Sequence, residues 1–256
     1  MLKRVYNLSI NTAGGESARA MEVWVASPSS GRGTILEDQC QSWLTDGERC
    51  AATRLKQVSS RNQHIVGRGM VRRLLSRRAN CKPSDLVFEC SHNGKPSVIA
   101  PRSAIRPFNI SHTEGLVLVA LSDRGEIGVD VESLSRRVDI HLAERYFAKP
   151  EVDYINSWHD FHCRSMAFIK VWTLKESFVK ATGLGLSIPL SSFSFEVLDS
   201  DRPKIKVLSR SLREYADWGV ISFSPAEGYL GAISTNQINF VAKDVQLGIQ
   251  DFLSLV

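Results

Sequence analysis

The chain has 256 residues, of which 43% are hydrophobic and 23% charged; this composition excludes a disordered chain, a coiled coil and a collagen-like one. It is long for a single core and comfortable for two half-domains. The formal charge of +5 is uneven, +8 over residues 1–124 and −3 over residues 125–256, so the first half suits an anion and the second has spare carboxylates.

The start, MLKRVYNLSI, has a basic pair but no apolar stretch behind it, so no cleaved leader is expected. No run approaches the ~18 apolar residues of a membrane helix. Residues 21–26 (MEVWVA) alternate as a strand does, and SPSSGRG at 27–33 breaks it. From Thr34 to Arg61 the reading is helix and loop. Residues 62–78 read as a helix, with Ile65, Val66, Met70, Val71, Leu74 and Leu75 as an apolar stripe amid arginines. A short strand at 85–90 precedes a polar turn, His92-Asn93-Gly94-Lys95-Pro96. Residues 106–112 (RPFNISH) lead into a buried strand, 116–121, a turn at 122–125 and a further strand, 126–132. The composition shifts here, which sets the half-domain boundary near residue 124, giving halves 1–124 and 125–256. Beyond it come a helical stretch at 139–147 and a helix start at Lys149-Pro150-Glu151. A long helix over 162–181 is stopped by GLGLSIP, and short strands follow at 192–197, 204–208, 219–223 and 229–234. The fold class expected is α+β, two similar halves each holding a small antiparallel sheet with helices.

Five cysteines, at 40, 50, 81, 90 and 163, form an odd set without a CxxC pair. That pattern fits a reduced, cytoplasmic protein.

Side chains alternate along a strand. In Glu126–Glu132 (EIGVDVE), Ile127, Val129 and Val131 therefore share one face, assigned to the core, and Gly128, Asp130 and Glu132 share the other. Two neighbouring carboxylates repel unless a cation lies between them, and oxygen ligands at this spacing suit a hard cation such as Mg²⁺. A solvated strand face would read the same way. On the long helix, Trp172, Glu176 and Lys180 are spaced i, i+4, i+8 on one face, with Phe168 a turn earlier. This is either a third carboxylate with a phosphate-binding lysine beside it or an ordinary exposed ion pair.

Taken together, GKP (94–96), FNISH (108–112), GVDVE (128–132) and WTLKESFVKATGLGL (172–186) resemble the 4′-phosphopantetheinyl transferases of the Sfp type, in the family's order and spacing. The basic helix, with GR-x-x-x-R at 67–72, extends the resemblance upstream. The resemblance implies two pseudo-symmetric α+β halves with coenzyme A bound between them. It also implies transfer of the phosphopantetheine arm to a serine of an acyl- or peptidyl-carrier protein, with 3′,5′-ADP leaving. On this reading Asp130, Glu132 and Glu176 hold Mg²⁺, and Lys180 holds a pyrophosphate oxygen. His112, after Ser111, meets the 3′-phosphate, and Lys95 sits at the nucleotide end. Glu151 assists removal of the serine proton, with Lys175 supporting the site. The resemblance thins in ERCAATRLKQVSSRNQH. A family arginine falls at Gln63, so Arg54 and Arg61 are the candidate phosphate contacts, with Arg68 as a substitute. The partners implied are coenzyme A and an acidic carrier domain, met by a monomer.

Other signals are weaker. HDFHC, with His159, His162 and Cys163, lacks a fourth ligand at a zinc spacing and suits a helix start or a surface loop. No P-loop and no G-x-S-x-G elbow is present. The arginine-rich helix could face nucleic acid, but no aromatic residues interleave with it, so neither nucleic acid nor membrane is expected as a partner.

Overall fold

A computed structural model describes residues 21–237 and 249–255. They form two compact units, one of residues 21–124 with 249–255 and one of residues 125–237.

The first unit opens with strand β1 (Met21–Ala26), followed by helices α1 (Ile35–Ser42), α2 (Asp46–Thr53) and α3 (Val58–Ala79). Two T-x-x-E sequences start the short helices. Thr34 with Glu37, and Thr45 with Glu48, form capping boxes that satisfy the first free amides of α1 and α2. Helix α3 begins four residues before the predicted start, because Val58 is exposed, Ser59, Ser60 and Arg61 are polar and half-buried, and all four lie outside the apolar stripe. It ends at Asn80, whose φ of 51° is the left-handed C-cap conformation. A hairpin of β2 (Val87–Cys90) and β3 (Pro96–Ala100) precedes β4 (Phe108–Thr113) and β5 (Leu116–Ser122).

Strand β5 is central, antiparallel to β1 on one side and to β4 on the other. All seven of its residues are buried, as an apolar run between two neighbours requires. Helix α3 lies across β4 and β5. A Cβ placed on Gly67 would stand 3.2 Å from Ile110 and 3.6 Å from Val117.

The second unit holds β6 (Ile127–Ser133), α4 (Leu142–Tyr146), α5 (Lys149–Asn156), α6 (Phe161–Thr182), β7 (Phe193–Glu196), β8 (Lys204–Val207), β9 (Gly219–Phe223) and β10 (Tyr229–Thr235). Strand β10 pairs antiparallel with both β6 and β9, and β7 pairs with β8 as a separate ribbon. Asp160 caps α6 by accepting a hydrogen bond from the Cys163 amide at 2.9 Å, and Gly183 (φ 70°) ends it. HDFHC is therefore a helix start. Phe168, Val171, Leu174 and Phe178 of α6 pack with Phe193, Phe195, Leu212, Val220 and Ala232 to form this unit's core.

Each unit thus sets a 22-residue helix on antiparallel strands, an α+β architecture in both halves. The five cysteines are free. No helix among the described residues is long and apolar enough to cross a membrane.

The C-terminal stretch, grouped in the sequence with the second half, belongs to the first unit. Strand β11 (Ile249–Asp251) pairs with the other edge of β1, in parallel, with Val23 opposite Ile249. The physical reason lies in Phe252. It is fully buried and edge-on to Trp24 and Trp43, with ring centroids 6.5 and 6.1 Å away. Burying a phenylalanine contributes roughly 1.5–3 kcal/mol.

Candidate active site

The site is built where α6 crosses β6. The alternation along β6 holds, and Ile127, Val129 and Val131 are buried. The opposite face is also covered. A Cβ on Gly128 would lie 2.2 Å from the Ser177 carbonyl oxygen and 2.3 Å from the Ala181 amide nitrogen. Only a residue without a side chain lets the helix approach this closely. The hydroxyls of Ser177 and Ser234, 2.8 Å apart, also fasten α6 to β10.

Between Val171 and Lys180, every residue of α6 is buried except Trp172, Glu176 and Lys180. The i, i+4, i+8 stripe is therefore the one accessible line on this stretch of helix, and it runs beside the carboxylates of β6. Lys180 Nζ donates to Asp130 Oδ1 at 2.6 Å, and Asp130 is only 4% exposed. Arg136 donates to Glu132, and its guanidinium lies 5.8 Å above the Trp172 ring. The Trp172 side chain also hydrogen-bonds Glu132. Phe168 stacks on Trp172 with centroids 6.3 Å apart and rings 13° from parallel. The Trp172 indole is half-buried, and it packs against the core of this unit while touching the site.

Burial, and then the negative charge of Asp130, holds the carboxyls of Glu132 and Glu176 above the ordinary carboxylate range; Arg136 and Lys180 act the other way. Asp130, Glu132 and Glu176 are oxygen donors, the residue type that a hard divalent cation takes, and the last two resist ionisation through burial first and the charge of Asp130 second. Among the described residues, no group of three or more His, Cys, Asp or Glu is drawn together as a metal cluster. The positive charge beside these carboxylates comes from Lys180 and Arg136.

Glu151, expected to assist removal of the serine proton, is placed elsewhere. It is fully buried. Its carboxylate accepts from the Ala148 amide at 3.1 Å and the Phe195 amide at 3.0 Å, and pairs with Lys175 Nζ at 2.8 Å. Lys175 is fully buried too, donates to the carbonyls of Leu190 (2.7 Å) and Phe193 (2.8 Å), and sits 4.2 Å from the Phe193 ring centroid. Burial pushes the Lys175 ammonium down to about 8 and the Glu151 carboxyl up. The pair ties α6 to α5 and β7, and Glu151 has no open path to a substrate hydroxyl. It is the capping residue of the A-K-P-E helix start.

In the first unit, Ser111 is buried and His112 exposed on neighbouring positions of β4. Lys95 lies in the β2–β3 turn, closed by its own amide donating to Ser91 Oγ at 3.1 Å and by Gly94 at φ 81°. Arg54 is the exposed C-cap of α2. Arg61 is held by the Leu55 carbonyl at 2.9 Å. Gln63, at the position of the missing family arginine, is buried and donates to the Thr113 carbonyl at 2.7 Å. The sequence reading missed Arg136, whose signal is its i+4 spacing from Glu132.

A model of the 4′-phosphopantetheinyl transferase superfamily matches residues 126–233. The chain is 31% identical over 170 residues to 4′-phosphopantetheinyl transferase ffp of Bacillus subtilis, covering 66% of this chain and 74% of that one. It is 29% identical over 170 residues to 4′-phosphopantetheinyl transferase Sfp of Bacillus subtilis strain 168, with the same two coverages, 66% and 74%. To 4′-phosphopantetheinyl transferase HetI of a Nostoc species it is 27% identical over 221 residues, covering 78% of this chain and 89% of that one. A crystal structure of holo-[acyl-carrier-protein] synthase from Thermotoga maritima overlays with a TM-score of 0.36 at 22% identity, over 43% of this chain and 61% of that one. At 31% identity over most of the length of ffp, and with the family model matching residues 126–233, the chain belongs to the 4′-phosphopantetheinyl transferase superfamily.

Proposed function

We propose that this chain transfers the 4′-phosphopantetheine group of coenzyme A to a serine of an apo acyl- or peptidyl-carrier protein. The reaction is Mg²⁺-dependent, releases 3′,5′-ADP and takes place in the cytoplasm. The observation that carries the proposal is the half-buried stripe of α6, which presents Glu176 and Lys180 to the carboxylates of β6 in the otherwise buried stretch from Val171 to Lys180.

The chemistry follows from what these residues can do. Attack on a phosphoryl group needs alignment and neutralisation of developing charge more than covalent help. Asp130, Glu132 and Glu176 are the residues that would hold Mg²⁺, which supplies Lewis-acid neutralisation of the pyrophosphate. The Lys180 ammonium provides a compact positive charge to a pyrophosphate oxygen. With Glu151 sealed inside, Glu176 is the carboxylate of the set suited to take the serine proton, directly or through water. His112, Lys95, Arg54 and Arg61 are assigned to the phosphates and nucleotide of coenzyme A. The +8 balance of residues 1–124 suits both that anion and an acidic carrier.

The test is to incubate the protein with coenzyme A, Mg²⁺ and a panel of apo-carriers, and to weigh each carrier. A mass gain of one phosphopantetheine group on at least one carrier is expected. No gain on any of them, with folded protein and metal present, overturns the proposal.

A further inference from the structure

Arg136 stands on the turn that leaves β6. The strand ends at Ser133, and the chain folds back at once. The Leu134 amide donates to the Gly228 carbonyl at 2.8 Å, the Ser135 amide to Ser133 Oγ at 3.2 Å and the Arg136 amide to the Ser133 carbonyl at 3.1 Å. These bonds return Arg136 to the side of Glu132. Its guanidinium donates to Glu132 Oε1 and lies 5.8 Å from the centre of the Trp172 ring. The Arg136 side chain is 43% exposed and that of Glu132 only 12%. A planar guanidinium can face an aromatic ring and bond a carboxylate together, which suits arginine to this place more than lysine.

Three carboxylates and two side-chain cations share this corner of the second unit. Lys180 is matched to Asp130, and Arg136 to Glu132. The Arg136 charge also favours the ionised form of Glu176. A guanidinium and a divalent cation drawn to the same carboxylate repel one another. At partial exposure the effect is modest, of the size of a surface ion pair. Whatever cation Glu132 holds is therefore held against Arg136. A residue that merely propped Glu132 in place would act with the opposite sign and help the cation.

We propose that Arg136 is a positioning residue that serves Glu132 as an internal counter-cation, which Mg²⁺ must displace, so that it sets the affinity of the site for Mg²⁺ below what the three carboxylates alone would give. The inference rests on the reading of Asp130, Glu132 and Glu176 as the residues that hold Mg²⁺. The Trp172 ring gives the guanidinium a second contact that does not depend on Glu132. Its charge then stays beside the site when the carboxylate is given up, available to an anion.

The experiment titrates Mg²⁺ alone, by calorimetry, into the full chain prepared with chelator and into its Arg136→Gln and Arg136→Lys variants. At low ionic strength Arg136→Gln is expected to bind Mg²⁺ roughly two- to fivefold more tightly than wild type, the range of a partly exposed ion pair. Arg136→Lys keeps the charge but not the planar stack, and should fall between the two. The gap between Arg136→Gln and wild type should shrink as salt is added, because the charge is partly exposed and is screened. A fixed Mg²⁺ concentration should also raise the melting temperature of Arg136→Gln by more than that of wild type. Equal or weaker binding by Arg136→Gln, a gap that salt leaves unchanged, or no Mg²⁺ binding by wild type overturns the inference. In each case Mg²⁺-dependent transfer to a carrier by wild type shows that the functional reading stands without it. If wild type neither binds Mg²⁺ nor modifies any carrier, both fall together.

Discussion

Lys180 and Asp130, fifty positions apart in the chain, meet at 2.6 Å where α6 crosses β6. The ammonium is partly open to solvent and the carboxylate is nearly closed off, with side-chain exposures of 29% and 6%. The contact balances a buried negative charge with a lysine still within reach of a ligand.

Asp130→Ala removes the carboxylate about which Glu132, Glu176 and Lys180 are arranged. Transfer to a carrier should fall by roughly 10²–10³-fold, the scale for removing one preorganised electrostatic group. The circular-dichroism spectrum should match wild type. Turnover within twofold of wild type would move the site away from β6.

Glu176→Gln separates function from stability. The Glu176 carboxyl is held up by burial and by Asp130, so its ionised form is disfavoured by folding. For an acid whose folded pKa is raised, that cost is present above the folded pKa and is relieved as pH falls through it. The variant is therefore expected to melt a few degrees above wild type at neutral pH, about 2–4 °C per kcal/mol for a chain of this size. The gap should close toward acidic pH, and transfer should be lost. A lower melting temperature at neutral pH would show that the ionised carboxylate is satisfied in the free protein.

Glu151→Gln and Lys175→Met each leave an unmatched charge in a dry core. Breaking such a pair costs about 3–5 kcal/mol, measurable by urea denaturation. The double variant Glu151→Leu/Lys175→Met should recover much of the loss, because it buries no charge. If Glu151→Gln leaves stability untouched but lowers turnover, the carboxylate acts on the substrate after all.

Gly128→Ala places a methyl carbon 2.2 Å from the Ser177 carbonyl oxygen. That atom is helix backbone and cannot swing aside, so α6 must shift. A destabilisation of about 1–3 kcal/mol is expected, typical of overpacking. Transfer should drop with it, since the Lys180–Asp130 contact depends on the same approach. Wild-type melting and activity together would contradict the close packing.

Much of the site was legible in the chain because it is carried by regular elements. The period of a strand puts Asp130 and Glu132 on one face, and the period of a helix puts Trp172, Glu176 and Lys180 on another. Both follow from local geometry. The burial of Glu151 was not legible, for the opposite reason. A carboxylate in the first turn of a helix looks alike in sequence whether it faces solvent or a lysine from another helix. What separates the two cases is the Lys175 ammonium arriving from α6, 24 residues later in the chain. Phe252 is a similar case, since nothing near it in sequence says that its aromatic partners are Trp24 and Trp43.

By itself, then, the sequence determined the order and type of the elements, the uneven charge and the residue set of the transferase family, because periodicity, capping and motif spacing are properties of neighbours along the chain. Only the tertiary structure decided which carboxylates remain available for chemistry and which are sealed into the core. It also decided that the C-terminal strand returns to the first unit. Those outcomes depend on burial and on charges brought together from distant positions.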